Sequence, residues 1–240
     1  MLKYRLAGRI VAFSPMFDET AQEMRAYLYE GEQPPETVFS VSREQYEQEK
    51  RAWLDEFHTE IETRLMAEQF YTWLLSHDGS YLHGCAVEMD GAGYVFTADS
   101  GTGKSTHCAL WKQRFGRERV HVLNDDKPFV RIAADGTACV CGSPWCGKVP
   151  VNQSAEAPLA GICLLRQAER NSIRRLPPAE AGPQLLRQIY LPDTEERMDE
   201  ALALLERLMQ AVPIWELACN ISEEAAQLSY DTMKPGETLK

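Results

Sequence analysis

Phe96-Thr97-Ala98-Asp99-Ser100-Gly101-Thr102-Gly103-Lys104-Ser105-Thr106 is the stretch whose reading decides the fold. An apolar β-rich run, Tyr94-Val95-Phe96, leads into a glycine-rich turn. Gly-Lys-Ser then opens a segment in which Cys108, Trp111 and Phe115 recur at helical spacing. Strand, glycine turn and helix start in that order are the pattern of a phosphate-binding loop, the Walker A type. The glycines let successive backbone N–H groups turn inward around an anion, and the helix N-terminus adds positive potential. Asp99, Ser100, Gly101, Thr102, Gly103, Lys104, Ser105 and Thr106 are therefore the candidate nucleotide-binding residues. Lys104 is expected to reach the β- and γ-phosphates, and the Ser105 hydroxyl to ligate Mg²⁺. Ala98 stands where the pattern has its first glycine; the tight turn is made at Gly101 and Gly103, so a methyl group there is tolerable.

At 240 residues the chain suits one substantial domain with a small appendage, and 44% apolar residues are ample for a core. Lys+Arg 25 against Asp+Glu 36 gives a net charge of −11, which argues against a nucleic-acid partner. No apolar run has the length of a membrane span, and Met1-Leu2-Lys3-Tyr4-Arg5 lacks a signal-peptide core. Seven cysteines, an odd number without framework spacing, read as reduced thiols in a cytoplasmic protein. Cys139, Cys141 and Cys146 cluster, but no CxxC occurs. Cys139 and Cys141 sit two apart on a strand pattern and read as small buried hydrophobes rather than metal ligands.

The texture of the chain divides it into a small N-terminal α/β extension, residues 1–79, and a larger domain, 80–234. In the first part a strand is expected over 3–13, and a helix over 18–29 with Thr20 and Glu23 as a capping box. A strand over 37–41 follows, then a charged helix begun by Ser42 with Gln45, then an amphipathic helix burying Ile61, Leu65, Met66, Phe70, Trp73 and Leu74. In the second part, strands over 81–89 and 93–96 form a hairpin at Asp90-Gly91. Further strands are expected over 120–123, 129–132, 137–141, 159–165 and 212–217. Helices are expected over 179–189 and 194–210, with Ser222 opening the last one. Strands and helices that interleave with several hairpins predict an α/β fold built on a mixed β-sheet flanked by helices.

A phosphate loop does not by itself separate a kinase from an ATPase, a switch or a transporter subunit. Asn124-Asp125-Asp126, directly after an apolar strand, is the discriminating feature. In nucleotide folds such a strand end lies beside the loop, so one carboxylate can serve the metal while the other accepts the proton of an attacking hydroxyl. The same residues before Lys127-Pro128 also suit an ordinary Asp-rich turn.

His83-Gly84, then residues 98–105, then Asn124-Asp125-Asp126 resemble, in order and interval, the catalytic domain of the HPr kinase/phosphorylase family. The fold this implies is a P-loop core shared with ATP-dependent phosphoenolpyruvate carboxykinase. The resemblance implies ATP and Mg²⁺ as cofactors and Asp126 as proton acceptor from the substrate hydroxyl. It leaves Asp125 with Ser105 for the metal, and makes His83 an active-site residue near the transferred group, beside Lys104. It covers residues 82–132 well and the remainder by order of elements. Residues 1–79 do not resemble the N-terminal domain of the bacterial HPr kinases, and their expected role is a lid or an acceptor-binding element. The family's magnesium-binding glutamate has no acidic counterpart near Cys139–Gly142. Its arginine-rich loop has none after 212–217, where Ala218-Cys219-Asn220 stands. The chain is thus similar to divergent HPr-kinase-like proteins, some of which phosphorylate free serine or a hydroxyl of a modified peptide.

The loop Gly142-Ser143-Pro144-Trp145-Cys146-Gly147-Lys148 is a candidate wall of the acceptor pocket, with Lys148 meeting an anionic substrate; a plain glycine-proline connection fits it equally. Arg166, Arg170, Arg174 and Arg175 read mainly as solvated surface. The leading expectation is an ATP- and Mg²⁺-dependent kinase acting on a hydroxyl of a small molecule, peptide or protein, with no nucleic-acid or membrane partner. A homo-oligomer is expected by analogy with the hexameric HPr kinases. The alternatives are a nucleotide-binding accessory module of a peptide-modification pathway and, ranked lower, a carboxykinase-like enzyme.

Overall fold

The structure is a computed structural model that describes residues 1–52, 57–147 and 151–236. It opens with β1 (Leu2–Leu6) and β2 (Arg9–Ser14), an antiparallel hairpin to which β3 (Val38–Ser40) adds a parallel strand. The single strand expected over 3–13 is thus two. Ala7 and Gly8 both take left-handed backbone angles (φ 49° and 73°) and reverse the chain between them.

The helix expected over 18–29 is short, α1 (Asp18–Glu23), followed by a 3-10 turn at Arg25–Tyr27. The Thr20–Glu23 capping box does not form. Thr20 lies buried inside the helix, and the buried carboxylate of Glu62 accepts the N–H groups of Met16 and Phe17, satisfying the chain entering α1. Glu23 instead accepts from the Thr63 hydroxyl at 3.1 Å. The box expected at Ser42 does form: Gln45 N–H donates to Ser42 Oγ at 3.1 Å and Ser42 N–H to Gln45 Oε1 at 2.9 Å, opening α2 (Arg43–Ala52). In α3 (His58–Leu75), Ile61, Met66, Phe70 and Leu74 are buried.

The remaining strands are β4 (Gly79–Tyr81), β5 (Gly84–Met89), β6 (Ala92–Thr97), β7 (Val120–Asn124), β8 (Phe129–Ile132), β9 (Ala138–Cys141), β10 (Glu156–Gln167), β11 (Ser172–Arg175) and β12 (Ile214–Cys219). They form one curled mixed sheet in the order β4-β8-β9-β10-β6-β5-β7, with β12 on β10 and β11 on β12. Twelve-residue β10 makes the curl: its first three residues pair antiparallel with β9, and the rest run parallel to β6 and β12. The β5–β6 hairpin turns at Asp90 and Gly91, both left-handed, as a two-residue primed turn requires. Strand β11 was not expected, because its Ser-Ile-Arg-Arg letters are mostly exposed and carry no apolar alternation.

Seven helices occur among the described residues: α1 and α2 pack on α3, while α3, α4 (Lys104–Phe115), α5 (Pro178–Leu186), α6 (Glu195–Ala211) and α7 (Glu223–Met233) flank this sheet. Strand alternation assigns the two faces. Val95, Ile162 and Leu164 join the α5–α6 core with Leu185, Leu204 and Leu208, while Tyr94, Phe96, Cys163 and Leu165 face α4 and α7 with Trp111 and Ala226. A third core crosses the boundary expected after residue 79: Phe70 and Tyr71 of α3 pack on Phe129 and Trp145. None of the described helices is long and apolar enough to cross a membrane.

The reading of all seven cysteines as reduced is corrected in one place. Cys85 of β5 and Cys108 of α4 face each other under the helix and are joined as a disulfide, which leaves five free, Cys141 and Cys163 among them buried. The pairing escapes sequence reading because strand and helix meet only through the intervening β6 and loop.

Candidate active site

β6, β7, β10 and β12 all run in one direction, so their C-terminal ends reach the same sheet edge. Ligands of open α/β sheets bind at such an edge. β6 delivers the turn 98–103 there and β7 delivers residues 124–127. Antiparallel β5 begins there, immediately after His83. Gly84 makes that start workable: a Cβ on it would lie 2.8 Å from the carbonyl oxygen of Phe96 on the neighbouring strand.

In the turn, Gly101 and Gly103 take φ of 79° and 114°, the left-handed side open to glycine, and Gly103 is the N-cap of α4 with no side-chain cap. The first-turn N–H groups of α4 therefore face outward unclaimed by any side chain, with Ser105 and Thr106 exposed beside them. Lys104 folds back over the turn and donates to the carbonyl oxygens of Ala98 (2.9 Å) and Asp99 (3.4 Å). Burial lowers its pKa, opposed by the charges of Asp126 and Asp99. A cation thus sits at the back of an N–H-rich concavity, within electrostatic reach of the carboxylate on the next strand. Cavities lie on both sides of this turn. One of ≈540 Å³ is bounded by Ser100, Gly101, Arg166, Arg187 and Gln188. The other, of ≈590 Å³, is bounded by Gly103, Thr106, Leu110, Asn220 and Ile221.

The carboxylates are held by a side chain that carried no role in the sequence reading. Asn124 is fully buried. Its Oδ1 accepts the N–H groups of Asp126 (2.8 Å) and Lys127 (2.6 Å), and its Nδ2 donates to the carbonyls of Ser143 (2.9 Å) and Trp145 (3.1 Å). Asp125 accepts the N–H of Gly147 at 3.3 Å. Desolvation raises its pKa, partly offset by that N–H and reinforced by the charge of Asp126. Asp126 pairs with Lys127 on one side and lies 3.6 Å from His83 Nε2 on the other.

His83 is oriented from a distance. Its Nδ1 meets Gln188 Oε1 at 3.0 Å, its N–H donates to the Gln188 carbonyl at 2.7 Å, and Gln188 Nε2 donates to Asp99 at 3.3 Å. With the amide so assigned, Nδ1 carries a proton and Nε2 is the nitrogen turned to Asp126. Gln188 occupies this place because α5 ends at Leu186 rather than at 189 as expected; residues 188 and 189 instead pair with His83 and Leu82. Gln188 and Arg187 have no local sequence signal, and Arg166 read as surface. Only their place in the fold brings them to the turn. Arg174 is exposed and paired with Glu216 and Glu180, in keeping with a surface role. Lys148 lies outside the described residues.

Chemically, the edge combines an anion cradle backed by an ammonium with two adjacent carboxylates and an imidazole. No family model matches the chain, and no curated protein matches it. Among solved structures, the HPr(Ser) kinase/phosphatase from Coxiella burnetii aligns over 63% of this chain and 95% of its own, at 9% identity and a TM-score of 0.36. A likeness of that strength carries no weight for what this chain binds or does.

Proposed function

We propose that the chain is an ATP-dependent, Mg²⁺-requiring phosphotransferase acting on a hydroxyl acceptor, with a P-loop core at residues 80–234. The observation that carries this reading is the meeting of Lys104 with Asp126 and His83 at one sheet edge. A loop built only to hold a nucleotide needs no carboxylate–imidazole pair beside it.

In this reading the backbone N–H groups of residues 100–105 hold the phosphates, and Lys104 swings from the carbonyls of Ala98 and Asp99 onto the β- and γ-phosphates. Ser105 and Asp125 are the groups that would hold Mg²⁺. The fit rests on the donor set, since Asp125 is a half-buried carboxylate crowded by the charge of Asp126, which a divalent cation relieves. Among the described residues no group of three or more His, Cys, Asp or Glu is placed to hold a metal ion by itself, and a magnesium held mainly by phosphates and water needs none. The metal, when bound, neutralises charge on the phosphate oxygens. Asp126 takes the proton of the acceptor hydroxyl as it attacks, and His83, steadied through Gln188, stands beside it at 3.6 Å. Positioning and electrostatics supply most of the acceleration in a loose transition state.

The test follows label from γ-labelled ATP to acceptor in wild type and Asp126→Asn. Transfer should fall by at least about a hundredfold, the scale of a general base, while nucleotide affinity stays unchanged. Equal transfer in both proteins would refute the assignment. One observation favours a second reading, a nucleotide-binding accessory module: β9, Ala138-Cys139-Val140-Cys141, offers no carboxylate. Label appearing only as free phosphate with every acceptor would decide for it.

A further inference from the structure

A cavity of ≈790 Å³ opens beside the carboxylates, between α3, β4 and the turn 144–147. It is larger than either space flanking the phosphate turn and differs from them in lining. Its wall is aromatic: Tyr71 packs on Tyr81, Trp145 and Tyr190 with ring centroids 4.7, 5.2 and 5.7 Å apart. Lys127 and Gly147 line the side that faces the reaction edge; a Cβ on Gly147 would sit 3.6 Å from that of Asp126.

The charges on the lining indicate what fills it. The two cations on the lining are matched within the protein, Arg64 by Glu49 (3.1 Å) and Lys127 by Asp126. The lining carboxylates Glu23 and Glu60 have no cation against them among the described residues; one accepts the Thr63 hydroxyl and the other the Phe57 N–H. Tyr71 and Tyr81 keep neutral phenols, because burial raises both, with Asp126 contributing to each. Aromatic faces combined with unmatched carboxylates attract a cation and reject an anion.

Resting on the phosphotransferase reading, we propose that this cavity is the acceptor site and that the acceptor is an alcohol carrying a positively charged nitrogen on an apolar body. The ammonium lies against Tyr71, Tyr81 and the Glu23–Glu60 rim, and the hydroxyl points to Asp126. In the transfer the acceptor oxygen forms a bond to the γ-phosphorus as the bond to the β-bridging oxygen breaks. The hydroxyl proton passes to Asp126, and ADP leaves with the electron pair.

The test uses the full chain and three alcohols of one skeleton: 2-amino-2-phenylethanol, an ammonium at pH 7; 2-phenylpropan-1-ol, its neutral isostere; and 3-hydroxy-2-phenylpropanoate, its anionic counterpart. Binding is measured by calorimetry without nucleotide, and phosphorylation separately with ATP. The ammonium alcohol should bind at least about tenfold tighter than the neutral one and the anion weakest of all. The Glu23→Gln/Glu60→Gln double variant, which keeps both hydrogen bonds, should erase the difference between charged and neutral alcohols. Equal affinities, a preference for the anion, or no binding by any of the three overturns the proposal. A preference for the ammonium without label transfer to it sinks the phosphotransferase reading and leaves the cavity's charge selectivity standing.

Discussion

Lowering the pH should destabilise this protein through one histidine that is not at the reaction edge. His107, in the second turn of α4, is 2% exposed, with its ring against Phe96 at a centroid distance of 4.6 Å. The Ser229 hydroxyl gives its own proton to the Ala226 carbonyl at 2.9 Å and accepts from Trp111 Nε1 at 2.9 Å. At 3.1 Å from His107 Nε2, it can therefore act only as an acceptor. The imidazole thus carries its proton on Nε2, and its bare Nδ1 is buried with no partner. A second proton on Nδ1 would create a charge with nothing to receive it, and burial accordingly pushes the pKa from 6.5 down to about 4.

The sign follows from proton uptake on unfolding. The folded protein binds fewer protons than the unfolded chain between the two pKa values. The stability from this group is therefore complete above pH 6.5 and lost progressively as the pH falls towards about 4. The full loss is about 3 kcal/mol, of which about 2 kcal/mol falls between pH 7.5 and 5. Urea unfolding of wild type and His107→Gln over that range measures it, since glutamine keeps a donor for Ser229 and does not titrate. The wild type should lose about 2 kcal/mol more than the variant. Parallel stability curves for the two proteins would refute the tautomer argument and the burial argument together.

Three other substitutions have worked expectations. Asn124→Ala leaves two N–H groups and two carbonyls without their buried partner and should cost about 3 kcal/mol in urea unfolding, the upper part of the range for a buried polar deletion. Gly84→Ala sets a methyl 2.8 Å from the Phe96 carbonyl oxygen, so about 1–3 kcal/mol of overpacking should appear as a lower urea midpoint. Lys104→Ala should weaken ATP binding at least about tenfold, the scale of one charge-assisted contact, by equilibrium titration; an unchanged affinity would remove Lys104 from the phosphate site.

The parts legible in the sequence are those whose physics is local. Residues 96–106 announce a strand, a left-handed glycine turn and a helix start, because the left-handed turn needs glycine. The Asp90-Gly91 hairpin and the Ser42–Gln45 cap are equally short-range. What escaped reading is set by contacts far along the chain. Gln188 reaches His83 across 105 residues, Glu62 caps a helix 45 residues earlier, and α5 stops early because its last residues are needed as partners for Leu82 and His83. The double pairing of β10 depends on where β9 and β6 end, so an even apolar run gives no sign of it. The aromatic cavity is assembled from Tyr71, Tyr81, Trp145 and Tyr190, each of which reads as an ordinary core residue on its own segment.

One buried amide links the two halves of the candidate site. Through Oδ1, Asn124 fixes the backbone that carries Asp126 and Lys127; through Nδ2 it fixes the backbone at Ser143 and Trp145, the wall of the cavity. The carboxylate and the aromatic wall therefore cannot move independently without stranding a buried polar group, at a cost of about 1–3 kcal/mol each. A second chain of contacts runs the other way, from Asp126 through His83 and Gln188 to Asp99 at the phosphate turn. Cradle, carboxylate and cavity are thus one mechanical unit, and a substitution at Asn124 should disturb catalysis and acceptor selectivity together. One at Gln188 should disturb the cradle and the His83–Asp126 pair while leaving the cavity's preference among alcohols intact.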